Sequence, residues 1–340
     1  MRTFFLKLYG VNIRISANSD LAEESLKKDF KLYLEEINKN ADSAFKGITI
    51  NIFKETVPYY NIPSIEASLY NIGSICYKKK NVHYIDYSGK GLMIYDFNKE
   101  EARIYSENEM LLYEKARLAI LSRIGELLDK RHIHRVHAVG FAKDHKATIC
   151  LLPMAAGKTT MALGVLKKDK DIKLVSDDVC MIDLKSRVYP FVLRIGVRDE
   201  SILNEVPANY LVKINRNFYD QKYLVDLDYF KGRISGKSRL RSILIGKRVF
   251  QETTEIKKIS KIKCFIPFIQ SGVFGLGLPQ IVELFLKGDL QDILNKISLV
   301  FSRSALFLIA IYRSNTYEIR IGRDKEKTFD EVINFINKDR

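Results

Sequence analysis

Residues 147–183 read ATICLLPMAAGKTTMALGVLKKDKDIKLVSDDVCMID, and the order of residue types in this stretch decides the fold. An apolar run, Ile149 to Leu152, enters a loop of small residues, Ala155, Ala156 and Gly157. Helix-forming residues follow from Lys158 to Lys168. Small residues let backbone amides approach phosphate oxygens, and a helix opening at Lys158 adds its free amides and dipole toward the same anion. Met154, Ala155, Ala156, Gly157, Lys158, Thr159 and Thr160 are therefore the candidate nucleotide-phosphate loop. Lys158 is expected at the β- and γ-phosphates and the Thr159 hydroxyl at Mg²⁺. The GxxxxGK[ST] pattern wants glycine at position 152, where this chain has Leu152. The plainer reading of AAGKTT alone is a tight strand-to-helix turn with an exposed lysine.

One helix-length downstream, Leu174, Val175 and Ser176 read as a short strand ending in Asp177 and Asp178. In a right-handed β-α-β unit that strand end lies near the loop. Neighbouring residues on a strand face opposite ways, so the two carboxylates are expected to divide the work. One holds Mg²⁺, usually through water, and the other accepts the proton of an incoming hydroxyl. Either could be the base; Asp177 is taken for that role and Asp178 for the metal. A solvated turn into the next strand, Val179 to Ile182, is the alternative.

With His137 on the preceding strand (VHAVGF), the hairpin to ATICLLP, the loop MAAGKTT and the strand LVSDD, the chain resembles the HPr kinase/phosphorylase superfamily. It is similar also to the looser relatives of that superfamily, related in fold to ATP-dependent phosphoenolpyruvate carboxykinase. The resemblance implies an α/β fold with an HPr-kinase-like P-loop kinase domain, and ATP and Mg²⁺ as cofactors. It implies Lys158 and Thr159 at phosphate and metal, the Asp177/Asp178 pair as base and metal carboxylates, and His137 lining the phosphate site. HPr kinases proper carry an ERGLGI-type segment after the aspartates, whereas residues 191–200 here read FVLRIGVRDE. The expected activity is accordingly that of relatives found beside peptide-modifying enzymes, which move the γ-phosphate of ATP onto a serine of a peptide or protein. A small-molecule or nucleic-acid kinase stays open, as does a non-catalytic nucleotide-sensing module. So does a homo-oligomer.

The 340 residues are 46% hydrophobic with a net charge of +15, enough to build a sizeable core. The apolar stretch Ala305 to Tyr312 is too short to span a bilayer and reads as a core strand paired with Thr316 to Ile321. The opening MRTFFLKLYG has no uninterrupted apolar export segment, so a cytoplasmic protein without membrane partners is expected. Four dispersed cysteines read as buried thiols. His132 and His134 share one strand face and His137 the other, which argues against a three-histidine metal site.

Residues 1–130 are expected to form the N-terminal α+β domain, antiparallel in its sheet, and 131–340 the kinase domain. The first contains a hairpin (Phe4 to Leu8, Val11 to Ser16) and a helix from Asp20 to Ile37 opened by Asp20 and Glu23. Five short strands follow between Ile48 and Tyr105, and then a helix from a Ser106/Glu109 capping box to about Lys130 that joins the two domains. In the second, Pro279 to Val300 is helix-like and Thr328/Glu331 cap a terminal helix. Gln270 to Pro279 reads as a glycine-bearing loop. Between Lys231 and Lys263 eleven basic residues stand against Glu252 and Glu255. That excess favours an acidic partner, which can be triphosphate, acidic peptide or nucleic acid. Within it Lys237, Arg239 and Arg241 alternate on one strand face, so Arg239 and Arg241, with Arg194, are the candidate anion clamps.

Overall fold

The computed structural model of the chain describes residues 1–36, 45–197, 203, 206–214, 222–273, 281–285 and 290–338. They form a mixed α/β fold in two compact units. The first holds Met1–Leu128 with 281–285 and 290–294, and the second the remaining described residues from Asp129 onward.

In the first unit, β1 (Arg2–Leu8) and β2 (Val11–Ala17) form the expected hairpin. They are joined by β3 (Leu34–Glu35), β4 (Ile48–Lys54), β5 (Ala67–Asn71), β6 (Ser74–Lys79), β7 (Val82–Asp86), β8 (Leu92–Asp96) and β9 (Glu101–Ser106). The nine strands lie in the order β3-β1-β2-β4-β9-β8-β7-β6-β5. The sheet is mixed where an antiparallel one was expected, because β4 runs parallel to both of its neighbours. Strand β6 had no counterpart in the sequence reading.

Helix α1 (Asp20–Asp29) is shorter than the expected helix over 20–37. Phe30 caps it, and Leu34 turns to an extended conformation and pairs with Leu6. Pairing with β1 thus overrides the helical periodicity, and Ile37 lies outside the described residues. The entry cap is Ser19, whose hydroxyl accepts from the Ala22 amide, rather than the Asp20/Glu23 pair. At α2 (Glu109–Asp129) the cap is Asn108, accepting from the Leu111 amide at 3.0 Å, while Ser106 accepts from Asn108 itself. Each such cap is worth about 1 kcal/mol. Asp29 ties α1 to α2 by accepting from Tyr113 at 2.6 Å and Arg117 at 2.9 Å.

The second unit starts with β10 (Ile133–His137), β11 (Val139–Lys143), β12 (Lys146–Leu151), α3 (Lys158–Lys168), β13 (Lys173–Ser176), β14 (Val179–Asp183) and β15 (Arg187–Tyr189). A small sheet of β16 (Ile195–Val197), β17 (Leu211–Ile214) and β18 (Lys222–Val225) follows. The chain then forms β19 (Ser238–Arg248), β20 (Glu255–Lys258), α4 (Lys261–Phe268), α5 (Leu290–Arg313, of which residues from Asn295 onward belong to this unit), β21 (Asn315–Ile321) and α6 (Lys325–Lys338). The main sheet runs β10-β14-β15-β19-β12-β11-β13, with β21 on β19 and β20 on β21. Strands β12, β19 and β21 are parallel. Strand β11 lies antiparallel between β12 and β13, so α3 crosses over one strand to reach β13.

Successive residues of a strand face opposite sides, and the core divides accordingly. Val139, Phe141, Cys150 and Leu152 pack under α3 and α6. Ala142, Ala147, Ile149 and Leu151 pack under α4 and α5. Arg233 secures the end of α3 by donating to the carbonyls of Leu166 at 2.9 Å, of Ile172 at 3.0 Å and of Asp169. The terminal helix begins at Lys325, with Asp324 accepting from the Lys327 amide, so the Thr328/Glu331 cap is replaced.

The expected strand Ala305 to Tyr312 is helix, the second half of α5. An unbroken apolar run has no period to separate strand from core helix, and Ser302-Arg303-Ser304 is not a break. Arg303 turns inward and pairs with buried Asp129 at 2.6 Å, and Asp129 also takes His134 Nδ1 at 2.7 Å. Residues 282–285 and 290–300 carry helix within the expected Pro279–Val300 span; of the expected loop Gln270 to Pro279, residues 270–273 are helical and 274–279 lie outside the described residues. Asp292–Arg313 is long and apolar enough to cross a membrane, with mean hydropathy 1.5.

A Cβ at Gly164 would meet the Phe329 ring at 2.3 Å, so the contact of α3 with α6 requires glycine. Gly164→Ala is expected to destabilise by about 1–3 kcal/mol through overpacking, although alanine favours helix by about 1 kcal/mol. Denaturant unfolding of that variant, and recovery in Gly164→Ala/Phe329→Leu, checks the contact.

Candidate phosphate-binding site

The loop leaves β12 at Leu152, turns through an Ala156 amide bonded to the Pro153 carbonyl at 3.2 Å, and enters α3 at Gly157. Its left-handed residues are Ala155, at φ 61°, and Gly157, at φ 94°. Leu152 has no positive φ, and its side chain fills the space over Gly246, where a Cβ would lie 1.9 Å from Leu152 Cδ2. The missing glycine at 152 is therefore matched by a glycine on the neighbouring strand. Gly157 brings no side-chain cap to α3, so the first amides of the helix stay available to an anion. Met154 and Ala155 are exposed, Ala156 is buried, and Thr159 and Thr160 are half-buried in the first turn.

Lys158 is buried, its Nζ donating to the carbonyls of Leu152 at 3.1 Å and Pro153 at 3.2 Å. Burial pushes its amine below the ordinary lysine range, opposed chiefly by Asp178 and then by Cys150 and Asp177. Ser176, at the end of β13, shapes the next turn. Its hydroxyl accepts from the amides of Asp178 at 3.3 Å and Val179 at 2.9 Å and donates to the Phe191 carbonyl at 2.8 Å. Asp177 and Asp178 thus sit in the bend between β13 and β14, not on a strand as expected, so strand alternation does not separate their roles. The Ala138 amide donates to the Asp178 carbonyl at 3.0 Å, and His137 Nδ1 lies 3.2 Å from Asp178 Oδ1. Burial lowers the His137 pKa, Asp178 raises it and the Lys158 charge lowers it further. Three residues far apart in sequence, His137, Lys158 and Asp178, form one electrostatic cluster, with Asp177 beside it.

Two of the expected arginines are elsewhere. In the parallel register of β12 with β19, Arg239 stands opposite Lys146 at the start of β12, and Leu151 opposite Ile245 at its end. Arg239 and Arg241 are therefore at the sheet edge away from the loop, and Arg241 lines a separate cavity with Lys143, Lys146 and Asn337. Alternation identified their shared face, but strand direction decides which end they occupy. The arginine at the loop is Arg248, seven residues or about 23 Å along the strand from Arg241. Its Nη2 would stand 3.0 Å from a Cβ on Gly157, and its Nη1 donates to the Gly322 carbonyl at 3.1 Å. The register with β12 is what separates Arg248 from Arg239 and Arg241 on the same strand. Arg194 is buried in the segment that Phe191 attaches to β13, through its amide and the Val175 carbonyl at 2.9 Å.

The basic run is dispersed rather than gathered. Arg233 holds α3, Lys237 lies over the Tyr189 ring and Lys247 pairs with Glu318 at 2.6 Å. His134 serves the Asp129 cluster and meets Ser302 Oγ at 3.1 Å. All four cysteines are free and buried, and burial pushes the Cys150 thiol up to about 12.

Among the described residues no group of three or more His, Cys, Asp or Glu side chains is placed to hold a metal ion. One hydroxyl and one or two carboxylates at the loop are a donor set that fits Mg²⁺, which keeps several waters and takes the rest of its ligands from phosphate.

Two outcomes follow from the buried charges. A histidine held below its ordinary pKa of 6.5 contributes stability that is complete above about pH 6.5 and is lost as pH falls through the lowered value. His137→Gln is expected to lose less stability than wild type between about pH 7 and 5, read by thermal melts. Lys158→Met removes a charge that burial disfavours, so its melting temperature is expected to be no lower than wild type, read by the same melts.

No protein-family model and no curated protein matches the chain.

Proposed function

We propose that the protein is an HPr-kinase-like P-loop enzyme, using ATP and Mg²⁺ to phosphorylate a hydroxyl, that of a serine in a peptide or protein. The observation that carries this reading is the convergence of Lys158, His137 and the Asp177/Asp178 bend on the loop that opens α3. A phosphate-binding module needs the loop and the lysine. Carboxylates beside them add a group able to take a proton from an attacking hydroxyl.

Lys158, released from the Leu152 and Pro153 carbonyls, would exchange those two hydrogen bonds for phosphate oxygens. The amides of Gly157 to Thr160 would orient the same phosphates. Thr159 and Asp178 would hold Mg²⁺, which would supply charge neutralisation. Asp177 would take the hydroxyl proton, and His137, kept neutral by burial, would hold Asp178 in place. Arg248, rather than Arg239 or Arg241, would steady charge on the transferred group, since an arginine fork matches phosphate oxygens. Catalysis of this type is mostly positioning and charge stabilisation. A cytoplasmic setting goes with the reading.

Incubation with γ-labelled ATP, Mg²⁺ and small peptides encoded beside the gene is expected to give phosphoserine. Asp177→Asn is expected to keep ATP binding and lose transfer. Absence of product from every acceptor, with ATP bound normally, would leave a nucleotide-sensing module instead. Product on an RNA or small-molecule alcohol would name a different acceptor class. Arg248→Ala is expected to lower kcat about a thousandfold, with Arg239→Ala and Arg241→Ala near wild type.

A further inference from the structure

Helix α5 is apolar on two sides. Its inner side, Leu306, Phe307, Ala310 and Ile311, packs on the sheet, and Arg303 is fixed there by Asp129. Its outer side carries Ile297, Val300, Phe301, Leu308 and Tyr312 along one stripe, with Phe301 71% and Tyr312 77% exposed. Helix α4 lies alongside: Phe268 stacks edge-on against Phe307 at 4.8 Å, and Lys261 sits over the Tyr312 ring at 4.8 Å. Its own outward residues, Ile262 at 85% and Ile266 at 65% exposure, extend the stripe. Apolar residues gathered in this way on one surface mark an interaction site rather than ordinary scatter.

Charge identifies the occupant. No aspartate or glutamate occurs from Ile256 to Val282 or from Ile293 to Tyr317, where Lys258, Lys261, Lys263 and Lys296 stand besides Lys257, which pairs with Glu255 at 2.6 Å, and Arg313, which donates to the Leu184 carbonyl at 3.2 Å. A second copy brought face to face would set lysine against lysine, in a chain already at +15. A surface of anionic phospholipid complements both parts, because headgroups attract the lysines and the interface accepts the aromatic and aliphatic side chains. The inner face of α5 is committed to the core and Arg303 to Asp129, so the helix would lie on a bilayer rather than cross it. We infer that the α4/α5 face docks the protein peripherally on an anionic lipid surface. This departs from the expectation of no membrane partner and does not depend on the phosphoryl-transfer reading.

The test is co-sedimentation of the full chain with phosphatidylcholine vesicles, with and without about a quarter phosphatidylglycerol. Binding is expected only to the anionic vesicles, falling as salt rises from about 0.1 to 0.5 M. Phe301→Asp/Ile266→Asp, at exposed positions, is expected to weaken partitioning at least about tenfold with an unchanged melting temperature. Lys261→Glu/Lys263→Glu is expected to do the same. Absence of binding to anionic vesicles, or equal binding by the aspartate variant, overturns the inference. So does a lipid-free dimer, seen by sedimentation equilibrium, that the Phe301→Asp/Ile266→Asp variant disperses.

Discussion

The parallel pairing of β12 with β19, with Leu151 opposite Ile245, is the contact on which the candidate site depends. It carries Gly246 under Leu152, so the loop can begin with a leucine. It also brings Arg248 to Gly157, and leaves Arg239 and Arg241 at the far end of the same strand. A slip of one residue would turn every side chain of β19 to the opposite face and remove both contacts. The second constraint is the crossover of α3 above β11. Both β12 and β13 run antiparallel to β11, so their carboxyl ends share an edge, and Lys158 and the Asp177/Asp178 bend come from those two ends.

That edge holds charge at a cost to the fold. Lys158 is buried with carbonyl partners and a lowered pKa, and His137 is kept neutral by burial while lying against Asp178. The Lys158 ammonium, disfavoured by burial, gains from a polyanion, which is the physical basis for reading the edge as a binding site. The Asp129 cluster is a contrast. Burial raises the pKa of that carboxylate, but His134 and Arg303 outweigh it and hold it below the ordinary range, so its place is in the architecture.

Much of the candidate site was legible in the sequence because its parts are local. Small residues before Lys158, a helical stretch after it and two adjacent carboxylates at a strand end are patterns of a few residues each, and the structure keeps them as loop, helix and bend. The strand-or-helix decision at Ala305 to Tyr312 was not legible, since eight apolar residues in a row fit either once both sides are covered or apolar. The C-terminal end of α1 and the parallel neighbours of β4 were missed for a related reason: each depends on a strand far away in sequence.

By itself the sequence determined that residues 147–183 form strand, small-residue loop, helix and carboxylate pair, because short-range sterics and hydrogen bonding choose those conformations. Which arginine meets the loop, whether the aspartates share one cluster with His137, and what lies on the outer face of α5 were decided only by the tertiary structure. Those are matters of strand order, direction and register. They follow from burying two apolar faces of one sheet at once, and no window of neighbouring residues contains that information.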